Sequence, residues 1–205
     1  MGHTNSRKPL LYWLLLFSFF TIFTNNAIAQ EDLKNITFML PIDKSLKEGE
    51  RSALSVKVPE NFKALQPVGQ IGETGMAEFI PNDDKDPFAW TQILTISNMP
   101  TGEKTLAKDL LASFKKGFIA ADPNMKVMEE SYDENSGYNM GKLVMSYTPG
   151  KSRNEMVIMQ YYCGTQECSG MQYAILLKPD EDKAAALIKM HGFLDANKVA
   201  TITKF

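Results

Sequence analysis

The chain has few of the residues that supply metal ligands and catalytic nucleophile–base pairs. Its 205 residues include only two cysteines and two histidines. Zinc sites built from cysteine and histidine, and serine or cysteine nucleophiles activated by histidine, therefore have few residues to draw on. A net charge of −2 also excludes a strongly basic nucleic-acid binder. We expect no cofactor, no bound metal and no nucleic-acid partner.

Residues 1–29 have the pattern of a secretory signal peptide. Arg7 and Lys8 precede an apolar run over 10–23, and the small-residue triplet 27–29 follows a polar break. The apolar run is shorter than the ~20 residues that a membrane-spanning helix needs, and no second long run follows. We predict cleavage between Ala29 and Gln30, with no membrane span in the mature chain. A retained N-terminal anchor is the alternative.

Removal of this leader leaves 176 residues, a net charge of −4 and one histidine, His191. The short leader, rich in leucine and phenylalanine, indicates a bacterial protein. We expect a periplasmic or secreted protein of a Gram-negative bacterium. The mature length suits one domain. We predict an N-terminal extension over 30–51 and a single domain over 52–205.

The two cysteines of the chain, Cys163 and Cys168, lie between two apolar runs of period two, 156–162 and 171–177. This pattern predicts a β-hairpin whose short loop brings the cysteines opposite each other, at a separation that a disulfide accepts. In an oxidising compartment a structural disulfide is favoured. A redox-active dithiol is the alternative, but the C-x-x-C spacing is absent.

The pattern of apolar residues predicts an α+β fold. Strands are expected over 53–58 and 88–96, the second of which contains Trp90. A helix with apolar residues at Leu106, Leu110, Phe114 and Phe118 follows, with Thr101 and Thr105 as candidate caps. Four strands over 125–132, 138–148, 155–163 and 170–178 should form an antiparallel meander.

A second helix is predicted to open at 178–180 and to stop at Asn197. Its buried stripe is expected to contain Ala184, Leu187, Ile188, His191 and Leu194, and 199–202 could add an edge strand. Two main helices on an antiparallel sheet without βαβ repetition define an α+β domain.

Known catalytic and binding motifs are absent or incomplete. The chain has no G-x-S-x-G elbow, and Gly150-Lys151-Ser152 lacks the first glycine of a phosphate-binding loop. Asn82, Asp84 and Asp86 have the alternating oxygen ligands of a calcium loop, but Pro87 and Ile93 stand where glycine and glutamate belong. A solvated turn is favoured over a weak calcium site.

Methionine and aromatic residues are plentiful, and they make adaptable binding surfaces as well as cores. The candidate binding surface comprises Trp90, Met156, Met159, Tyr161 and His191. The thioethers also permit a copper(I) hypothesis, although alternation directs Met156 and Met159 to opposite faces of one strand. On the apolar side of its helix, His191 is more often a packed residue than a catalytic one.

The order of elements resembles a known group of exported proteins. The predicted elements are, in order, a strand closed by Pro59-Glu60-Asn61-Phe62, a strand containing Trp90, a long helix, a four-strand meander and a C-terminal helix. This order resembles the PsbP-like, DcrB-like α/β/α sandwich over 52–197. Glu78-Phe79-Ile80-Pro81 and the run 90–96 also resemble uncharacterised exported proteins of intracellular Gram-negative pathogens. The resemblance implies a non-enzymatic assembly or binding protein, and it carries no site residue over.

We therefore expect an exported, non-enzymatic binding or assembly module of the bacterial envelope or secretome, with host interaction as one option for its role. Its partner would be a protein or a small apolar ligand. A secreted hydrolase using two carboxylates in unlike environments is one alternative. A methionine-based periplasmic copper carrier is the other.

Overall fold

The computed structural model describes residues 35–39, 52–65, 75–85, 89–101, 105–133, 139–148, 153–164 and 167–204. The predicted signal peptide and its cleavage site at Ala29–Gln30 lie outside these residues. So does most of the predicted extension.

Ten strands and two helices follow one another in the described residues. The strands are β1 (Asn35–Met39), β2 (Ser52–Lys57), β3 (Phe62–Ala64), β4 (Met76–Pro81), β5 (Gln92–Pro100), β6 (Lys126–Asp133), β7 (Asn139–Tyr147), β8 (Asn154–Cys163), β9 (Glu167–Leu177) and β10 (Ala200–Lys204). Helix α1 (Ala107–Ala121) lies between β5 and β6, and helix α2 (Lys183–Ala196) lies between β9 and β10.

These strands form two antiparallel sheets. The larger sheet has seven strands in the order β3-β4-β5-β9-β8-β7-β6, and the smaller has the order β1-β2-β10. The predicted meander is β6 to β9, and β9 joins it to β5 through a register that runs from Gln92–Ile175 to Pro100–Glu167. The α+β fold class is therefore confirmed.

Alternation along the strands builds a core on each face of the larger sheet. In β8, Met156 and Ile158 belong to one buried cluster, and Val157 and Met159 belong to the other. The first cluster, which we call the α2-side core, is completed by residues of α2 and of the smaller sheet. The second, the α1-side core, is completed by Ala107 and Leu111 of α1. Both faces of the sheet are thus covered, because each face presents an apolar row.

Helix α1 lies close to its predicted position, but its start differs. Leu106 occupies the N-cap position without a side-chain hydrogen bond, so neither Thr101 nor Thr105 caps the helix. The backbone N–H of Ala107 instead donates to Oδ1 of Asn139 at 2.8 Å, a cap supplied by the neighbouring strand β7. The helix ends at Ala121, and Asp122 occupies the C-cap position.

Helix α2 differs more from its prediction. It begins at Lys183 rather than at 178–180, because the carboxylate of Asp182 accepts the N–H groups of Ala184 and Ala185. Ala186 and Met190 are buried, whereas Ile188 is 72% exposed. The predicted stripe was therefore wrong at Ala184 and Ile188. The apolar residues of this helix are distributed on all of its sides, so periodicity alone could not select the buried face.

The C-terminal strand forms as predicted but joins the smaller sheet. After Asn197 ends α2, β10 pairs with β2, and β1 pairs with the other edge of β2. The predicted extension therefore contributes strand β1, and the boundary at residue 52 stays a prediction. Within the described residues, no helix is long and apolar enough to cross a bilayer.

Candidate functional site

The two cysteines form a disulfide at the end of the β8–β9 hairpin. Cys163 and Cys168 are register partners with Cα atoms 4.0 Å apart, and the N–H of Gly164 donates to the carbonyl oxygen of Glu167 at 2.7 Å. The predicted pairing is confirmed. Both cysteines are buried in the α1-side core. A structural disulfide fits an extracytoplasmic location.

The five residues of the candidate binding surface do not lie together. Met156, Met159 and Tyr161 are 0% exposed, so the structure places them in the core, which corrects the expectation of a surface at these positions. Met156 lies in the α2-side core, and Met159 and Tyr161 lie in the α1-side core. The two thioethers therefore diverge, and this pair loses its value as a copper ligand set. Trp90 and His191 keep partial exposure.

Tyr161 is a core residue that packs beneath helix α1. Its hydroxyl lies 3.0 Å from Oγ of Ser97 and accepts a hydrogen bond from Nε2 of Gln172 at 2.8 Å, and its ring packs on Phe114. Burial raises the pKa of the Tyr161 hydroxyl. The hydroxyl thus stays protonated and satisfied inside the core.

His191 lies between α2 and the edge strand β6. Its Nε2 is 3.2 Å from Oε1 of Glu129, and Nζ of Lys142 is 2.7 Å from the other carboxylate oxygen. The hydrogen bond from Lys142 is the main reason that the pKa of Glu129 is lowered, with His191 adding to it. This partly exposed cluster links α2 to β6 and β7.

A β-bulge brings Glu129 to this position. Val127 pairs with Met145 and Glu129 pairs with Val144, which leaves Met128 as the extra residue of β6. Directly paired residues share a face of the sheet, so the bulge turns Glu129 to the same side as Val144, in the α2-side core. Simple alternation could not predict this contact.

Trp90 belongs to a second polar and aromatic cluster, at the end of the sheet where β8 begins. The guanidinium carbon of Arg153 lies 4.5 Å from the centroid of the Trp90 ring, and Nη2 of Arg153 donates to the Trp90 carbonyl oxygen at 3.2 Å. Nε of Arg153 is 3.4 Å from Oε1 of Glu155. The side chain of Arg153 is 28% exposed, so the pair reaches the surface.

Glu155 is the buried residue of this cluster, and it pairs with Arg153. Its carboxylate is buried and accepts a hydrogen bond of 2.5 Å from the hydroxyl of Tyr147, whose ring packs edge-on against Phe118 of α1. Burial raises the pKa of Glu155, although Tyr147 and Arg153 act in the opposite direction. Burial and the nearby carboxylate also raise the pKa of Tyr147. A buried carboxylate with a raised pKa marks this cluster as a candidate site.

Sequence reasoning named Trp90 here but missed Arg153, Tyr147 and Glu155. One signal was available: Glu155 occupies the same alternating row as Val157 and Met159, which are apolar core residues. A carboxylate in an apolar row needs a buried partner. The identity of that partner depends on which strands pair, and only the fold supplies this.

Within the part of the chain that the structure describes, no group of three or more His, Cys, Asp or Glu side chains could hold a metal ion. The Trp90–Arg153 cluster combines an aromatic face, a guanidinium group and a buried carboxylate. These features define an α+β protein with a hairpin disulfide and a partly exposed tryptophan–arginine pair.

Comparison with known proteins adds little to this description. No protein-family model and no curated protein matches the chain. Among solved structures, the crystal structure of LpqN, described as involved in cell envelope biogenesis of Mycobacterium tuberculosis, is similar with a TM-score of 0.47 and 13% identity. The match covers 85% of this chain and 94% of that one. We transfer no function at this similarity, and membership of the PsbP-like group stays a prediction.

Proposed function

We propose that this protein is an exported, non-enzymatic binding or assembly module of the bacterial cell envelope or secretome. The partly exposed Trp90–Arg153 pair is the observation that carries the proposal, with the binding surface centred on it. The signal-peptide pattern of residues 1–29 and the Cys163–Cys168 disulfide support export.

The physical argument rests on the side chains that dominate binding energy. Tryptophan and arginine are enriched among the few interface residues whose truncation costs most of the affinity. Here Arg153 is already held by the Trp90 carbonyl and by Glu155, so binding immobilises it at a reduced cost in side-chain entropy. We propose a protein partner for this surface, and a small apolar ligand that stacks on the indole is the alternative occupant.

Site-specific photo-crosslinking tests this proposal. A photoreactive residue at Ala89, which is exposed beside Trp90, should capture a partner in the cell that produces the protein. The same residue at Thr201, exposed on β10, is the positional control. Trp90→Ala should lower the affinity for the captured partner by at least about thirtyfold, since hot-spot truncation costs roughly 2 kcal/mol or more.

The matched control for Trp90→Ala is Ile188→Ala, which truncates an apolar side chain that is exposed on α2. It should leave capture unchanged. Equal capture by the Trp90→Ala variant and the wild-type protein would remove Trp90 from the binding surface. Cell fractionation and N-terminal sequencing test the finer part of the proposal, a mature chain that starts at Gln30 in the periplasm or medium of a Gram-negative bacterium.

A carboxylate-dependent hydrolase is the second candidate function. Glu155 favours it, because a buried carboxyl with a raised pKa can act as a general acid. The hydrogen bond from Tyr147 and the ion pair with Arg153 instead give Glu155 a structural role. Hydrolysis of chromogenic glycosides or esters that is lost in Glu155→Gln would favour the hydrolase over the binding module.

A further inference from the structure

The turn that resembles a calcium loop already contains a cation from the protein itself. Lys63 of β3 extends its ammonium group to this turn, which follows β4. Its Nζ donates to the carbonyl oxygens of Asn82 at 2.9 Å and of Asp84 at 2.7 Å. These backbone oxygens are of the type that a calcium ion would use. The ammonium group thus supplies positive charge to the turn.

The carboxylate of Asp84 is directed to the segment before β5. Its Oδ2 accepts the backbone N–H of Thr91 at 2.7 Å, and the Thr91 hydroxyl donates to the same carboxylate at 3.0 Å and 3.2 Å. Hydrogen bonds to an ionised acceptor are among the stronger ones in proteins. One side chain therefore fixes both the backbone and the hydroxyl of Thr91.

Thr91 directly follows Trp90, and neither residue belongs to the sheet, since β5 begins at Gln92. The carbonyl oxygen of Thr91 accepts the N–H of Leu176, and the carbonyl oxygen of Trp90 accepts Arg153. The indole of Trp90 packs against the α1-side core, and these contacts of its backbone and of Thr91 add to that packing in fixing its position.

We propose that Lys63, Asp84 and Thr91 form a clasp that positions Trp90 under Arg153. Asp84 is the positioning residue of this clasp: it holds Thr91, and Lys63 holds the turn that carries Asp84. Its role in partner recognition rests on the proposed function of the Trp90–Arg153 surface. The clasp itself is a property of the fold and can be measured without a partner.

Tryptophan fluorescence of the mature protein reports on the clasp directly. The chain contains two tryptophans, and Trp13 lies in the predicted leader, so Trp90 is the single emitter of the mature protein. In Asp84→Ala, we expect a red-shifted emission maximum and faster quenching by acrylamide. The matched control is Asp83→Ala, which removes the neighbouring, exposed carboxylate and should change neither quantity.

Asp84→Asn should restore part of the wild-type emission, because its amide oxygen can still accept the Thr91 N–H. Lys63→Met, compared with Lys57→Met on the exposed side of β2, provides a second test if Asp84→Ala does not fold. Each variant is compared at equal far-ultraviolet circular dichroism. A loss of stability alone would not shift the emission of folded protein, so the spectrum separates positioning from general destabilisation.

Identical emission and quenching in Asp84→Ala and Asp83→Ala would overturn the clasp. A change of Trp90 emission on adding calcium to the wild-type protein, absent in Asp84→Ala, would also overturn it, in favour of a calcium site. Crosslinking from Ala89 then separates the two proposals. If Asp84→Ala shifts the emission while Trp90→Ala captures the partner normally, the clasp proposal is supported and the proposed binding surface is refuted.

Discussion

Gly170 lies directly beneath the ring of Tyr161, its register partner on the neighbouring strand. A Cβ atom at position 170 would lie 2.7 Å from Cδ1 of Tyr161 and 2.1 Å from the carbonyl oxygen of Gln160. The ring of Tyr161 occupies the space that a side chain on β9 would need. Glycine is therefore required here by close packing of one strand against the next.

Gly170→Ala should destabilise the protein strongly. The new methyl group meets backbone, which cannot move without shifting β8 against β9, so we expect a loss of at least about 2 kcal/mol in the free energy of unfolding. Gly192→Ala on α2 is the control, because a Cβ there meets nothing within 4 Å. It should stabilise the protein by about 0.5–1 kcal/mol, as alanine does in a helix interior. Urea unfolding of both variants measures the contrast.

Truncation of two apolar residues of α2 distinguishes the observed buried face from the predicted one. Met190 is buried in the α2-side core and Ile188 is exposed. Met190→Ala should cost about 2–5 kcal/mol, and Ile188→Ala should change the free energy of unfolding by no more than about 0.5 kcal/mol. The reverse order, measured by thermal or urea unfolding, would show that the helix is rotated as the sequence suggested.

Glu155 should make the protein less stable as the pH rises. Burial raises its pKa in the folded state above 4.5, so the unfolded chain releases this proton at a lower pH than the folded one. The contribution of Glu155 to stability is therefore complete below the unfolded pKa and is lost as the pH rises through the raised value. In Glu155→Gln, stability relative to the wild type should increase as the pH rises above the ordinary glutamate pKa of about 4.3.

Glu130→Gln is the control with the opposite sign. The hydrogen bond from Lys115 lowers the pKa of Glu130, so this carboxylate contributes stability above its unfolded pKa and loses it as the pH falls. Stability relative to the wild type should therefore decrease with rising pH in Glu130→Gln. Parallel curves for the two variants would contradict the assignment of a raised pKa to Glu155.

The disulfide should contribute modestly to stability, because it closes a short loop. Cys163 and Cys168 are separated by 5 positions, and constraining so small a loop stabilises the folded state by about 2 kcal/mol in the chain-entropy model. The Cys163→Ala, Cys168→Ala double variant should lose this amount and keep the hairpin, since the β8–β9 ladder extends well beyond the cysteines. Unchanged urea unfolding of the double variant would show that strand pairing alone constrains the loop.

The parts of the fold with a clear period were predictable from sequence. The row of α1 and the alternation of β6 to β9 each repeat over enough residues to define an element, and the spacing of Cys163 and Cys168 predicted their pairing. Prediction was wrong where the period was ambiguous. Helix α2 has apolar residues on all sides, so the sequence was compatible with more than one buried face. Packing against the sheet selected the face that contains Met190.

The candidate site was only partly predictable for a related reason. Trp90 was identified from its residue type. The contact of Arg153 with Trp90 was not predictable, because it depends on where β8 begins in the folded sheet. Met156, Met159 and Tyr161 were assigned to a surface, yet both faces of their strand are covered. Whether a strand has one buried face or two is decided by what packs on the sheet, and alternation along the strand does not reveal it.

Scarcity of cysteine and histidine, the secretory pattern, the hairpin disulfide and the α+β class followed from the sequence itself, because each depends on composition or on spacing along the chain. The bulge that turns Glu129 toward His191, the covering of both faces of the sheet and the clasp around Trp90 were decided by the tertiary structure. The contact between Glu129 and His191 joins residues 62 positions apart, and the clasp needs β3 beside β4, which brings Lys63 to Asp84. Strand register and packing on the sheet decide these features, and spacing along the chain does not encode them.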